Sequence, residues 1–258
     1  YDKFRNRLML PVIDTRGDVV AFGSRVLDKS EPKYMNSSET PVYSKRRVLY
    51  GLNLAKKSKR PNIILCEGNL DIVTLHQAGF DNAVASMGTA LTVEQTRLLS
   101  RFTKELVLCY DNDNAGKIAT ERALQILNGS EFSVKVLQLP RRLVDGEYIK
   151  QDADDFIKLQ GPDAFERLLN GSENGVEFRM AQIAGKYDLK DDEARIAYCG
   201  EVSELLASLP GAVEREIYTG RAAEAAGITA EAMKLEVQRS FKRRIAREKR
   251  AELRKDLN

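Results

Sequence analysis

Three groups of acidic residues sit where apolar runs stop. Glu67 and Asp71 follow "NIILC", in Glu67-Gly68-Asn69-Leu70-Asp71. Asp111 and Asp113 follow "ELVLCY", in Asp111-Asn112-Asp113-Asn114-Ala115-Gly116. Asp152, Asp154 and Asp155 follow "SVKVLQLP" after a loop. Carboxylates gathered on one rim repel one another, and without a cation such a site is costly or takes up protons. Hard oxygen donors with no His or Cys beside them favour Mg²⁺, for which Mn²⁺ can substitute. A set of this size can hold two ions and serve phosphoryl or nucleotidyl transfer. A plainer reading stands beside this one: Asp113 or Asn114 caps a helix that starts near Ala115. Three such groups at three strand ends of one alternating unit favour the chemical reading.

The elements that must position these residues are legible from Pro61 onward. "NIILCEG", "NAVASMG", "ELVLCYD" and "SVKVLQLP" read as strands. "NLDIVTLHQAGF", "TVEQTRLLSRF" and "AGKIATERALQILN" between them have helical spacing. Strand-helix alternation implies a parallel sheet covered on both faces, with right-handed crossovers and ligands at the C-terminal strand ends. Before it, "RLMLPVID" and "VVAFGSRVL" flank the turn signal "TRGD", and "EPKYMNSSETPVYSKRRVLYG" reads as loop. After it, "DDFIKLQGPDAFERLL" reads as one helix, and from Gly175 only helical patterns remain. The expected architecture is α/β: a basic N-terminal mixed α+β unit (residues 1–60), a metal-binding unit (61–172) and a C-terminal helical bundle (173–258).

Charge supports a polyanionic partner. The chain of 258 residues has a net charge of only +3, but residues 1–60 carry 14 Lys/Arg against 6 Asp/Glu. The same charge fits an ordinary basic surface. Cys66, Cys109 and Cys199 are few and widely spaced. They read as reduced thiols in a cytoplasmic setting, neither disulfides nor zinc ligands. The single His76 argues against a Ser-His-Asp triad and reads as a structural helix residue. No apolar run approaches the ~20 residues of a membrane span. No secretory signal is expected at the charged start, and a first residue of Tyr1 reads as a piece of something longer. The last helix, from Ala230, carries Lys242, Arg243, Arg244, Arg247, Lys249 and Arg250, and reads as a solvated charged helix, a nucleic-acid contact or a lead into a further domain.

"CEGNLDIV" followed by "CYDNDNAG" resembles the TOPRIM signature of primases, topoisomerases and some nucleases. "FRNRLMLPVIDTRGDVVAFGSRVL", "PKYMNSSET", "LYGL" and "ASMGTALT" narrow the resemblance to the catalytic core of bacterial replicative DNA primases, over about residues 1–170. The resemblance implies synthesis of RNA primers from ribonucleoside triphosphates on a single-stranded DNA template. It implies Mg²⁺ held by Glu67, Asp111 and Asp113, with Asp71, Asp152 and Asp154 completing the rim. It also implies a ridge of Arg5, Arg7, Arg25, Lys33 and Lys45, with Tyr34 and Asn36, for nucleotide and template, and a replicative helicase as partner through a C-terminal domain expected to be absent here or reduced to the last helices. Tyr34 beside Lys33 suits stacking on a base, or plain packing of a loop aromatic. The sequence departs from the family where Asn69 replaces an aromatic, where "RRLVDGEYIKQ" lengthens a loop, and where Ala153 replaces a proline. Asp145 is therefore a rival for one place in the third cluster. Two other classes stand beside the primase: a TOPRIM nuclease, and a nucleic-acid binding module without turnover. A topoisomerase lacks a nucleophilic tyrosine in a suitable context here, and a phospho-receiver domain would lack the basic unit in front.

Overall fold

Asn62–Cys66 (β5) is an unbroken apolar run, which suits a strand buried on both faces of a parallel sheet. The computed structural model, which describes residues 2–144 and 147–255, places it near the middle of six strands. Asp145 lies outside the described residues. Before β5 come β1 (Arg7–Ile13), β2 (Val19–Val26), β3 (Tyr34–Asn36), β4 (Leu49–Tyr50) and the short helix α1 (Leu52–Ala55). After it come α2 (Asn69–Gln77), β6 (Ala83–Ser86), α3 (Val93–Leu99), β7 (Glu105–Leu108), α4 (Asn114–Leu127) and β8 (Ser133–Val136). A hairpin β9 (Arg142–Val144) and β10 (Glu147–Ile149) precedes α5 (Ala153–Gln160), α6 (Pro162–Asn170) and β11 (Glu173–Asn174). The sheet order is β11-β8-β7-β5-β6-β4. The four inner strands are parallel, and β4 and β11 close the edges antiparallel. The expected parallel sheet is therefore mixed at its borders.

The apolar faces meet where the alternation requires. Ile64, Cys66, Val107 and Cys109 from the sheet pack with Ile72 and Leu75 of α2, Phe156 of α5 and Phe165 of α6. Phe80 and Phe165 meet edge to face at 4.7 Å, and full burial of each ring contributes about 2–3 kcal/mol. His76 sits on α2 with Nε2 donating to the Ala83 carbonyl at 2.9 Å, a structural role as expected. Cys66, Cys109 and Cys199 are free thiols.

In front of this sheet, β1, β2 and β3 form a separate antiparallel sheet. The third strand falls in a stretch the sequence suggested was loop. Its pairing of Tyr34 with Arg25 and Asn36 with Gly23 comes from β2, not from local propensity. The helix expected over "DDFIKLQGPDAFERLL" is two helices. Gly161, at φ 79°, turns the chain between them, and Pro162 opens the second.

By internal contacts the chain divides after Gly175. The second unit comprises α7 (Gly175–Ala184), α8 (Asp192–Ala207), α9 (Ala212–Ala226) and α10 (Ala230–Lys255). Its core holds Tyr198, Val202, Leu206, Ala222, Met233 and Val237. Part of the basic charge of α10 is spent within this unit: Arg243 pairs with Glu236 at 3.4 Å and Arg244 donates to the Ala207 carbonyl at 3.2 Å. Among the described residues no helix is long and apolar enough to cross a membrane.

Candidate active site

The C-terminal ends of β5 and β7 and the start of α5 converge on one cleft of about 490 Å³. Glu67, Asp71, Asp111, Asp152, Asp154 and Asp155 line its acidic side. Arg25, Lys33, Tyr34 and Asn36, from β2, β3 and the turn before β3, line the side opposite in character. Residues separated by up to 130 positions in sequence thus share one concavity, because the N-terminal sheet stands at the carboxyl edge of the parallel one.

Each carboxylate is held differently. Asp71 is 7% exposed. Its Oδ2 accepts the N–H of Gly68 at 3.1 Å and its Oδ1 accepts the N–H of Asp154 at 3.1 Å. Asp71 therefore ties the first acidic group to the third. Burial, with Asp152 nearby, lifts its carboxyl to about 7, against the pull of those two backbone donors. With the folded-state value raised, its contribution favours the fold at low pH and is lost as pH rises through about 7. Asp152 caps α5 by accepting from Asp155 N–H at 2.8 Å. Asp154 takes Thr74 Oγ1 on one oxygen and Lys158 Nζ on the other.

Asp113 bears out the capping reading and keeps its second oxygen on the rim. Its Oδ1 caps α4 through the N–H of Gly116 at 2.8 Å, and its Oδ2 faces Lys150 Nζ at 3.0 Å. The Gly116 donor and the lysine keep its carboxyl below the usual range. Gly116 is required here: a Cβ would lie 2.0 Å from the Asp111 carbonyl oxygen. Asp111 has Lys150 Nζ on its Oδ2 at 3.1 Å. The two aspartates raise the lysine's pKa, Asp113 first. Glu67 is the least satisfied member. Its Oε1 is buried with no hydrogen-bond partner. Burial first, and Asp111 second, raise its pKa, while the backbone N–H of Asp111 lowers it.

The donor set suits a hard divalent cation. It is all oxygen, one buried carboxylate oxygen lacks a partner, and a lysine ammonium sits between Asp111 and Asp113 where positive charge is favoured. Oxygens of Asp152, Asp154 and Asp155 also lie within 4.8 Å of one another.

The proposed ridge divides. Tyr34 has Lys33 Nζ 5.5 Å and Arg25 Cζ 6.0 Å from its ring centre, so a half-exposed aromatic stands between two cations in the cleft. Asn36 lines the cleft and donates to the Met87 carbonyl at 3.4 Å. Arg5, Arg7 and Lys45 do not line it. Arg7 donates to the Pro32 carbonyl at 2.7 Å, and the backbone of Lys45 is held by Glu39 and Gln95. Sequence reasoning missed Lys150. Its place depends on the β9–β10 hairpin, which carries no local signal tying it to Asp111.

An α/β sheet with Glu67 behind one strand and an Asp-x-Asp pair behind another defines a Toprim-type domain, and a Toprim-like family profile matches residues 64–157. Profiles described as the DNA primase catalytic core, N-terminal domain, and as the DnaB-helicase binding domain of primase match residues 1–56 and 176–231. The last match falls on the helical bundle, so the helicase-binding region lies within this chain, where the sequence suggested that it was absent or reduced to the last helices. The DNA primase of Clostridium acetobutylicum is 41% identical over 90% of this chain and 38% of its own length. A crystal structure of a DNA primase domain from Pseudomonas aeruginosa superposes with TM-score 0.75 at 34% identity, over 92% of this chain and 74% of that one. A structure of the DnaG primase catalytic domain bound to single-stranded DNA matches with TM-score 0.75 at 33% identity, over 90% and 73%. The chain belongs to the bacterial DNA primase family. It spans about two fifths of the length of the curated relatives it matches.

Proposed function

We propose that this chain carries the nucleotidyl-transfer site for DNA-directed synthesis of RNA primers. The observation that carries this reading is one cleft in which the partnerless Glu67 oxygen and Asp111 face Arg25 and Lys33. Glu67, Asp111 and Asp113 would hold the principal Mg²⁺, and Asp71, Asp152 and Asp154 a second ion or the first ion's waters. The bound metal would supply charge neutralisation at the reacting phosphate and a more acidic attacking hydroxyl. The chain's own groups do the rest. Arg25 and Lys33 neutralise the triphosphate, Tyr34 offers a face to the base, and Asn36 offers polar contacts to the nucleotide. Arg5, Arg7 and Lys45, outside the cleft, suit the template strand. The three parts 1–60, 61–172 and 173–258 would act as a nucleotide-gripping unit, a catalytic unit and a helical unit. The helical unit is the candidate contact for the replicative helicase. The setting is the cytoplasm.

The complex of a similar DnaG primase catalytic domain with single-stranded DNA supports a single-stranded template for this chain. The test is primer synthesis from ribonucleotides on single-stranded DNA with Mg²⁺. Wild type is expected to extend, and Asp111→Ala to lose product. Loss of labelled DNA in the same tubes would instead indicate a nuclease, and template binding without turnover under any divalent ion a binding module.

A further inference from the structure

A second cleft, of about 340 Å³, adjoins the first across Glu67, Ser86 and Gly88, which line both. Its other walls are Thr89 and Ala90 from the loop after β6, Tyr110, and one face of α4: Ala115, Ile118, Ala119 and Arg122. That face has the i, i+3, i+4, i+7 spacing of a helix stripe. Unlike an ordinary core stripe it is open: Ala115 and Arg122 are exposed and Ile118 is 53% exposed. Two small residues permit close approach, an aliphatic side chain offers an apolar contact, and a guanidinium lies one turn beyond. Opposite, the Thr89 hydroxyl is buried without a hydrogen-bond partner, as is Glu67 Oε1 on the shared wall. Buried polar atoms without partners are uncommon and mark places completed by a ligand or water.

Displacement at phosphorus runs in line, so the attacking oxygen must approach opposite the leaving pyrophosphate. The cations suited to a triphosphate, Arg25 and Lys33, stand in the first cleft and not the second. We infer that the second cleft is the acceptor subsite. It takes the 3′-terminal ribonucleotide of the growing primer, with its sugar against Ala119 and Ile118, its 5′-phosphate on Arg122, and its 3′-hydroxyl delivered beside Glu67. In the step, the 3′-oxygen forms a bond to the α-phosphorus of the incoming triphosphate. The bond from that phosphorus to the β-bridging oxygen breaks, pyrophosphate leaves with the electron pair, and the hydroxyl proton passes to water. This assignment rests on the nucleotidyl-transfer reading above.

The test uses Ala119→Phe, which fills the subsite from a partly exposed position on the helix, and Arg122→Ala, which removes only its cation. Each is compared with wild type for binding of a radiolabelled ribonucleoside triphosphate, binding of a 5′-phosphorylated diribonucleotide acceptor, and joining of the two on a complementary single-stranded DNA with Mn²⁺. Both variants are expected to bind the triphosphate within twofold of wild type. Ala119→Phe should weaken acceptor binding at least tenfold, and Arg122→Ala about fivefold by loss of one phosphate contact. Joining should fall in the same order. Joining and acceptor binding unchanged in both variants would overturn the subsite while leaving the transfer reading intact. Absence of acceptor binding to wild type would overturn it too. Acceptor binding that the variants weaken, with no joining by wild type, would support the subsite and count against transfer.

Discussion

The two halves of the acidic rim are built on opposite principles. In the half formed by Asp71, Asp152 and Asp154, the carboxylates are engaged by the protein: Asp71 takes two backbone N–H groups, Asp152 caps α5, and Asp154 takes Thr74 and Lys158. In the half formed by Glu67 and Asp111, one oxygen has no partner and another is met by a mobile type of group, the Lys150 ammonium. Asp113 bridges the styles, with one oxygen on α4 and one on Lys150. Carboxylates that satisfy backbone donors shape the site. Carboxylates left short of donors are available to a ligand. Acidic residues similar on paper therefore differ in how much of their hydrogen-bonding capacity the fold already uses.

The sharpest break in that comparison is Asp111→Ala. Primer synthesis should fall about a thousandfold, or ~4 kcal/mol of transition-state stabilisation, while the melting temperature without metal changes little, because no backbone donor is orphaned. Gly116→Ala drives a methyl into the Asp111 carbonyl. It should cost about 3 kcal/mol in urea unfolding, since a steric clash against fixed backbone is among the large single-site effects. Asp71→Ala should cost ~2 kcal/mol by leaving two backbone donors unpaired, with Asp71→Asn recovering part of that in the same titration. If Asp71→Ala were neutral for stability yet Asp111→Ala unfolded the protein, the division between the halves would be reversed. The smallest effect is Lys150→Met. Removing a positive charge 3.0–3.1 Å from two carboxylates should tighten Mn²⁺ binding, read by electron paramagnetic resonance, by roughly three- to tenfold at low salt. Unchanged or weaker binding would mean that the lysine helps to assemble the ion site.

Much of this was legible before any coordinates. From Asn62 to Leu108 the central strands are largely apolar runs, β8 alternates apolar with polar, and the helices between them read as helical, so local pattern and global position agree. The carboxylates could be found because charge directly after a buried strand is a conspicuous conflict. What escaped depends on distant pairing. β3 lies in a polar stretch and exists because β2 receives it. β4 and β11 are two-residue edge strands with too few residues to show alternation. The β9–β10 hairpin is largely exposed, so no hydrophobic period marks it, and Lys150 at its end was invisible for the same reason. Basic residues misled in the other direction. Arg5, Arg7, Arg25, Lys33 and Lys45 are equivalent as charges, and only the strand register and the turn into β3 select Arg25 and Lys33 for the cleft.

The double engagement of Asp71 sets an order of events during synthesis of the chain. A ribosome that has delivered residues up to about 140 has supplied every strand of the parallel core, yet Asp71 then has only the Gly68 amide to hold. The Asp154 amide arrives later, and with it the start of α5 is pinned over the pocket. A chain that stops short of α5 therefore leaves Asp71 with one backbone donor in place of two, and the sheet without the Phe156 and Phe165 rings that cover it.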